Sequence, residues 1–210
     1  MARGQGRGPK PLARRAGIRQ PRKTLLVFCE GTRTEPEYLE ALKREPEIRD
    51  VAAVDLRIAL QGGMPLDLVR LASAARERSI EEEGEIDEVW CVFDVEWPIN
   101  HPDLKEALAL ARKRGVRVAV SNPCFELWLA LHFRDHRGWL DNDGARRLRR
   151  NCDGQVKKGL RGADYMPHRD LARARAIALD RQHEQDCREF PQNNPSSGMH
   201  RLIASVSGSR

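Results

Sequence analysis

No run of 18 or more apolar residues occurs in the 210-residue chain, so nothing in it reads as a membrane span. The first residues are basic, but no apolar stretch follows them, which argues against a secretory signal. Five cysteines are present, an odd number without a C-x-x-C pair, so neither a disulfide framework nor a structural zinc site is expected. Cys29 and Cys91 fall inside apolar runs, where a free thiol behaves as a small hydrophobe. A reducing, cytoplasmic setting is the expectation. Nothing reads G-x-x-x-x-G-K-[ST], so any ATP chemistry must come from another chain. Internal repeats are absent as well.

What is present is unevenly charged. The formal net charge of +6 hides a basic segment at 1–23, with eight Lys/Arg and no acid. Residues 24–136 carry 14 basic and 22 acidic residues, a charge of −8, and residues 137–181 carry 12 and 6, a charge of +6. An acidic lobe thus lies between two basic flanks. Such a lobe suits a cation, and such flanks suit a polyanion. The first segment, rich in Gly, Pro and Arg, also reads as a solvated, disordered arm that supplies no core.

Four apolar runs read as strands: Thr24–Cys29, Asp55–Leu60, Glu88–Asp94 and Val116–Ser121. Between them, helical patterns cover Thr34–Arg44, Leu66–Glu82 and Pro102–Arg114. The first opens on an apparent capping box, Thr34 with Glu37, and the third closes at Gly115. Strands alternating with helices imply βαβ units and a parallel sheet flanked by helices, a Rossmann-like α/β class. After Asn122-Pro123 the pattern changes to a short helix, Phe125–Phe133, and then to helical stretches at Asp141–Arg150 and Arg169–Glu184. Pro191–Ser197 reads as a polar loop and Met199–Val206 as a terminal helix. The expected division is a basic tail at 1–23, an α/β core at 24–136, and a helical annex with a C-terminal helix packed on the core at 137–206.

Ligands of a parallel α/β sheet bind beyond the carboxyl ends of its strands. Glu30 directly follows the first strand, Asp94 ends the third, and Glu96 lies two residues on. On extended backbone, residues i and i+2 share a face, so Asp94 and Glu96 are expected to converge on one ion, with Glu30 approaching from the side if strands one and three are neighbours. Oxygen-only ligands of this kind suit Mg²⁺ or Mn²⁺ and not zinc. Each acid alone also reads as an ordinary solvated strand end. Glu126, at the start of the helix after strand four, should face the same crevice, or be a plain first-turn acid. Glu35 is a further acid on the first helix. His132 reads as structural, and His101 as a residue at the rim of the site. Trp97 reads as exposed at the crevice, whereas Trp128, Leu129 and Phe133 read as core. Arg146, Arg147, Arg149 and Arg150 form a basic helical face, suited equally to nucleic acid or to solvent.

The pairing of Glu30-Gly31 with Asp94-Val95-Glu96 resembles the Toprim domain of topoisomerases, primases and OLD-type nucleases. CEGTRTEPEYL (Cys29–Leu39), VFDVE (Val92–Glu96), SNPCFELWLALHF (Ser121–Phe133) and NPSSGMHRLI (Asn194–Ile203) resemble, more specifically, the RloB-like proteins. These are prokaryotic Toprim relatives linked to an ABC-family ATPase and to anti-phage defence. The resemblance spans about residues 24–206. It implies a Toprim-like fold, a metal-dependent nuclease acting on DNA or RNA, and a separate ATPase partner. It assigns Asp94 and Glu96 as the principal metal pair and Glu30 as ligand or general base. It adds Glu126 as a further ligand, which would permit two ions, and Lys158, beside Lys157, as the cation facing the scissile phosphate. Toprim domains have Asp-x-Asp where this chain has Glu96, one methylene longer, which implies weaker Mg²⁺ geometry or a preference for Mn²⁺. A rival expectation is a regulatory Toprim subunit that binds without cutting. A homo-oligomer is compatible with either.

Overall fold

The computed structural model describes residues 23–51, 54–59, 62–81, 86–154 and 159–207. The basic segment 1–22 and Lys157 and Lys158 lie outside the described residues. Strands β1 (Lys23–Cys29), β2 (Val54–Ala59), β3 (Glu88–Asp94), β4 (Arg117–Asn122) and β5 (Ser196–Ser197) form one sheet in the order β2-β1-β3-β4-β5. The first four run parallel, and β5 pairs antiparallel through Ser121–Ser197 and Asn122–Ser196. The arrangement is Rossmann-like α/β, as the alternating pattern predicts. β5 is a correction to the polar loop read at Pro191–Ser197: two serines carry no apolar periodicity, and only the pairing reveals them as strand.

Eight α-helices join these strands among the described residues: α1 (Thr34–Arg44), α2 (Pro65–Glu81), α3 (Leu104–Arg114), α4 (Phe125–Leu131), α5 (Asn142–Asp153), α6 (Gly162–Tyr165), α7 (Arg169–Gln185) and α8 (Met199–Val206). None is long and apolar enough to cross a membrane. The pleat sorts each apolar strand between two cores. Leu25, Val27 and Cys29 of β1, with Trp90 and Val92 of β3, face α1, α4, α7 and α8. Phe28 of β1 and Val89, Cys91 and Phe93 of β3 face α2 and α3. Strands buried on both faces need apolar residues at every position, which is why these runs are continuous and not alternating.

One local expectation fails for a visible reason. Helix α1 begins at Thr34 itself, with Arg33 at the N-cap position and no side-chain cap. The apparent capping box does not form, because Glu37 spends its carboxylate elsewhere. Its Oε1 pairs with Arg33 Nε at 3.0 Å and its Oε2 accepts the Leu160 N–H at 2.7 Å. Helix α5, by contrast, is capped by Asp141, which accepts the Gly144 N–H at 2.7 Å. Helix α3 ends at Gly115 in the left-handed conformation, φ 66°, as its sequence predicts.

The annex is joined to the sheet by an aromatic knot. Tyr38 of α1 meets Trp128 of α4 edge-on at 6.0 Å between centroids, and His132 meets Trp128 at 5.0 Å and Tyr165 of α6 at 5.3 Å. These contacts fix α4, and with it the carboxyl end of β4.

Candidate metal centre

β1 and β3 are neighbours, so their carboxyl ends bring Glu30 and Asp94 together. The backbone N–H of Asp94 donates to Glu30 Oε2 at 2.9 Å, and the N–H of Glu30 donates to Val92 O at 2.9 Å. The pleat separates the two side chains, however. Asp94 shares the parity of Trp90 and Val92 and faces the α1–α4 side, where it accepts the N–H of Phe125. Glu30 shares the parity of Phe28 and faces the α2–α3 side. There His101, in the loop before α3, brings Nε2 to 2.8 Å from Glu30 Oε1. That contact lacks the alignment of a hydrogen bond, and His101 Nε2 has no other partner.

Glu96 does not continue the strand. Its φ of 67° places it in the left-handed region, rarely occupied by residues with a side chain. Val95 is buried with the α2–α3 core, and the Glu96 N–H donates to Pro123 O at 2.9 Å. The i, i+2 geometry expected for Asp94 and Glu96 is therefore broken at Glu96. The turn carries its carboxylate to the Glu30 side, where one donor atom each from Glu30, Glu96 and His101 lie within 4.8 Å of one another. Two carboxylates and an imidazole, half-buried, could hold a metal ion there. Asp94 stands deeper, buried, with Oδ1 unpartnered. A buried carboxylate oxygen without a donor is costly unless a cation or proton meets it.

Two more acids close the far side. Glu35, in the first turn of α1, is buried, and its carboxylate accepts the N–H of Gly31. A Cβ at Gly31 would lie 2.1 Å from Glu35 Oε2, so only glycine admits this contact. Glu126, in the first turn of α4, lies near Asp94 and Glu35. Burial, and then the charges of Glu30, Glu35 and Glu126, push the Asp94 carboxyl well above the usual carboxylate range. Burial also raises Glu35, with Glu126 and Glu30 adding to it. Glu30 is also raised by burial, against the opposing pull of the Asp94 N–H and His101. Acids that raise one another in this way carry a standing electrostatic cost, which a cation would relieve.

Of the residues singled out in the sequence, Glu30, Asp94, Glu96, Glu126 and Glu35 all meet at this one end of the sheet. Lys158 lies outside the described residues. His132 is buried in the aromatic knot. Trp97 is half-buried and not presented to the crevice, because its Nε1 donates to Asn122 Oδ1 at 2.8 Å and its ring packs on Trp139. The sequence reading missed Asn142 altogether. It opens α5, accepts the Trp97 N–H at 3.0 Å, and donates from Nδ2 to Glu96 Oε2. No spacing rule points to an asparagine 46 residues from its partner. His101 was visible only as a rim residue, since the loop that folds it inward has no periodicity to read.

The family model for RloB-like proteins matches residues 25–206. The chain belongs to the RloB-like family. No curated protein matches it. In this RloB-like chain the matched span runs from β1 through α8, so it takes in every residue of the carboxylate cluster and the helices that hold it.

Proposed function

We propose that this RloB-like chain is a divalent-metal-dependent nuclease, built on a Toprim-like core and hydrolysing phosphodiesters of DNA or RNA. It works in prokaryotic anti-phage defence with a separate ABC-family ATPase. One observation carries the reading: five carboxylates from β1, α1, β3, α4 and the loop after β3 converge at the carboxyl end of a parallel sheet, with an imidazole among them. Phosphodiester hydrolysis needs positive charge at a phosphate oxygen and an activated water, and Mn²⁺ or Mg²⁺ bound here supplies both.

Glu30, Glu96 and His101 would hold the ion, and the unpartnered Oδ1 of Asp94 is the next donor available. An imidazole in the set favours Mn²⁺ over Mg²⁺, which is a harder cation and takes oxygen ligands. Glu30 is either a ligand of that ion or the base that accepts a proton from water. Glu126 completes the acidic wall, and Lys158 remains a proposed cation toward the scissile phosphate.

A second reading, a regulatory subunit that binds metal without cutting, is favoured by the tie between Asn142 and Glu96, which occupies one carboxylate oxygen of the cluster. The two separate in one assay. The chain, alone and with the ATPase encoded beside it where there is one, is incubated with labelled DNA and RNA in Mn²⁺ or Mg²⁺. EDTA and Asp94→Asn serve as controls. Cleavage lost with EDTA and with Asp94→Asn supports the nuclease. Metal bound but no cleavage under any condition supports the regulatory subunit.

A further inference from the structure

Helix α5 begins at the carboxylate cluster and leads away from it. Asn142, its first residue, is tied to Glu96 and to the Trp97 backbone. Arg146 follows at i+4 and Arg150 at i+8, so all three lie along one side of the helix, each about 6 Å further along the axis. The four arginines that read as one basic face are not equivalent. Arg149 is 5% exposed; its Nε pairs with Asp153 at 2.9 Å and its Nη2 donates to Gly159 O at 2.6 Å. It is a structural residue that locks the helix to the loop after it. Arg146 and Arg150 are exposed. Arg146 has only an exposed contact with Asp143 at 3.4 Å, and Arg150 forms no ion pair among the described residues.

Arg146 also lies within the field of the cluster. Partial burial works against its charge, yet Glu126, Cys124, Glu96 and Asp143 together hold it above the ordinary arginine range. A guanidinium on an exposed helix face thus feels the charge of the cluster without pairing to it.

We propose that α5 is the track for a polynucleotide backbone, with Arg146 gripping the phosphate next to the cluster and Arg150 the one beyond it. This rests on the nuclease reading, and it names how the substrate enters. The cluster alone repels phosphate. A bidentate guanidinium at its edge turns a cation site into a phosphodiester site, because its planar fork matches two phosphate oxygens. Arg149 and the Asp141 cap hold the track rigid, so little ordering is required when the backbone binds.

The test is fluorescence anisotropy with a labelled single-stranded oligonucleotide and the full chain, with Ca²⁺ in place of Mn²⁺ to neutralise the carboxylates. Arg146→Ala is expected to weaken binding about tenfold, the loss of one charge-assisted contact. It should also reduce the slope of log affinity against log salt by about 0.7, one phosphate contact fewer on a single strand. Arg150→Ala should shift the slope similarly. Arg146→Lys should keep the slope and lose part of the affinity. Arg78→Ala, on α2, should change neither. With Mn²⁺, Arg146→Ala should raise KM more than it lowers kcat, a split that a general loss of structure does not give. Unchanged affinity and slope in both alanine variants overturn the track, as does a wild type that fails to bind. Arginine-dependent binding without cleavage supports the track and sinks the nuclease reading instead, so the two fail separately.

Discussion

His132 and Glu96 show how single side chains fix this molecule. His132 is buried between an acceptor and a donor: Nδ1 lies 3.0 Å from Trp128 O and Nε2 lies 3.1 Å from the Tyr38 hydroxyl. A carbonyl only accepts, so Nδ1 carries the proton and Nε2 accepts from Tyr38. The neutral ring satisfies both contacts, and burial holds its pKa down to about 4 from 6.5. In that window the unfolded chain binds the proton and the folded chain does not, so stability rises with pH. The contribution is full above about 6.5 and is lost as pH falls toward about 4. Urea denaturation between pH 7 and 4.5 should show this loss, and His132→Gln should flatten that part of the profile. Glu96 pays a left-handed backbone, roughly 1–3 kcal/mol. Asparagine tolerates that conformation and carries no charge. Glu96→Asn should therefore melt higher than wild type without metal, and should lose the upward shift that Mn²⁺ gives the wild type.

The elements were legible to different degrees. The four parallel strands follow from their continuous apolar runs, and the end of α3 from Gly115. Where side chains act at a distance, the signal disappears. The pair Thr34 and Glu37 has the pattern of a capping box, but Glu37 is claimed by Arg33 and by Leu160, 123 residues on. Asp94 and Glu96 have the spacing of a converging pair, yet a left-handed residue sends Glu96 to Glu30 and His101, while the pleat turns Asp94 toward α4. The acids were readable as a set, because they follow strand ends. Their grouping was not, because it is decided by one φ angle and by Asn142. At this scale, Arg149 and Asp153 are the decisive pair of α5, with side chains 6% and 1% exposed. Arg149→Ala removes a buried guanidinium that pairs with Asp153 and donates to the Gly159 carbonyl. It should lower the unfolding free energy by about 3–5 kcal/mol in urea denaturation, whereas Arg147→Ala should change it little.

Across the whole molecule, charge is arranged by segment. Residues 24–136 carry −8 and residues 137–181 carry +6, and the fold lays the basic annex against the acidic end of the sheet through α5. The acidic end gathers carboxyls that raise one another's pKa, a strain that persists until a cation enters. Metal binding should therefore stabilise the fold as well as complete the site. Mn²⁺ should raise the melting temperature in a concentration-dependent way and EDTA should reverse it, as expected for a ligand that binds only the folded state. The same neutralisation would let a phosphate backbone lie along the annex beside an otherwise repellent cluster. The metal site is thus the hinge of the functional reading. Its most direct test is a Mn²⁺ titration followed by electron paramagnetic resonance on wild type, Glu30→Gln, Glu96→Gln and Glu37→Gln. Saturable binding by the wild type and by Glu37→Gln, lost in the other two, is the expected result. No saturable binding in the wild type, or binding that survives both Glu30→Gln and Glu96→Gln, would contradict it.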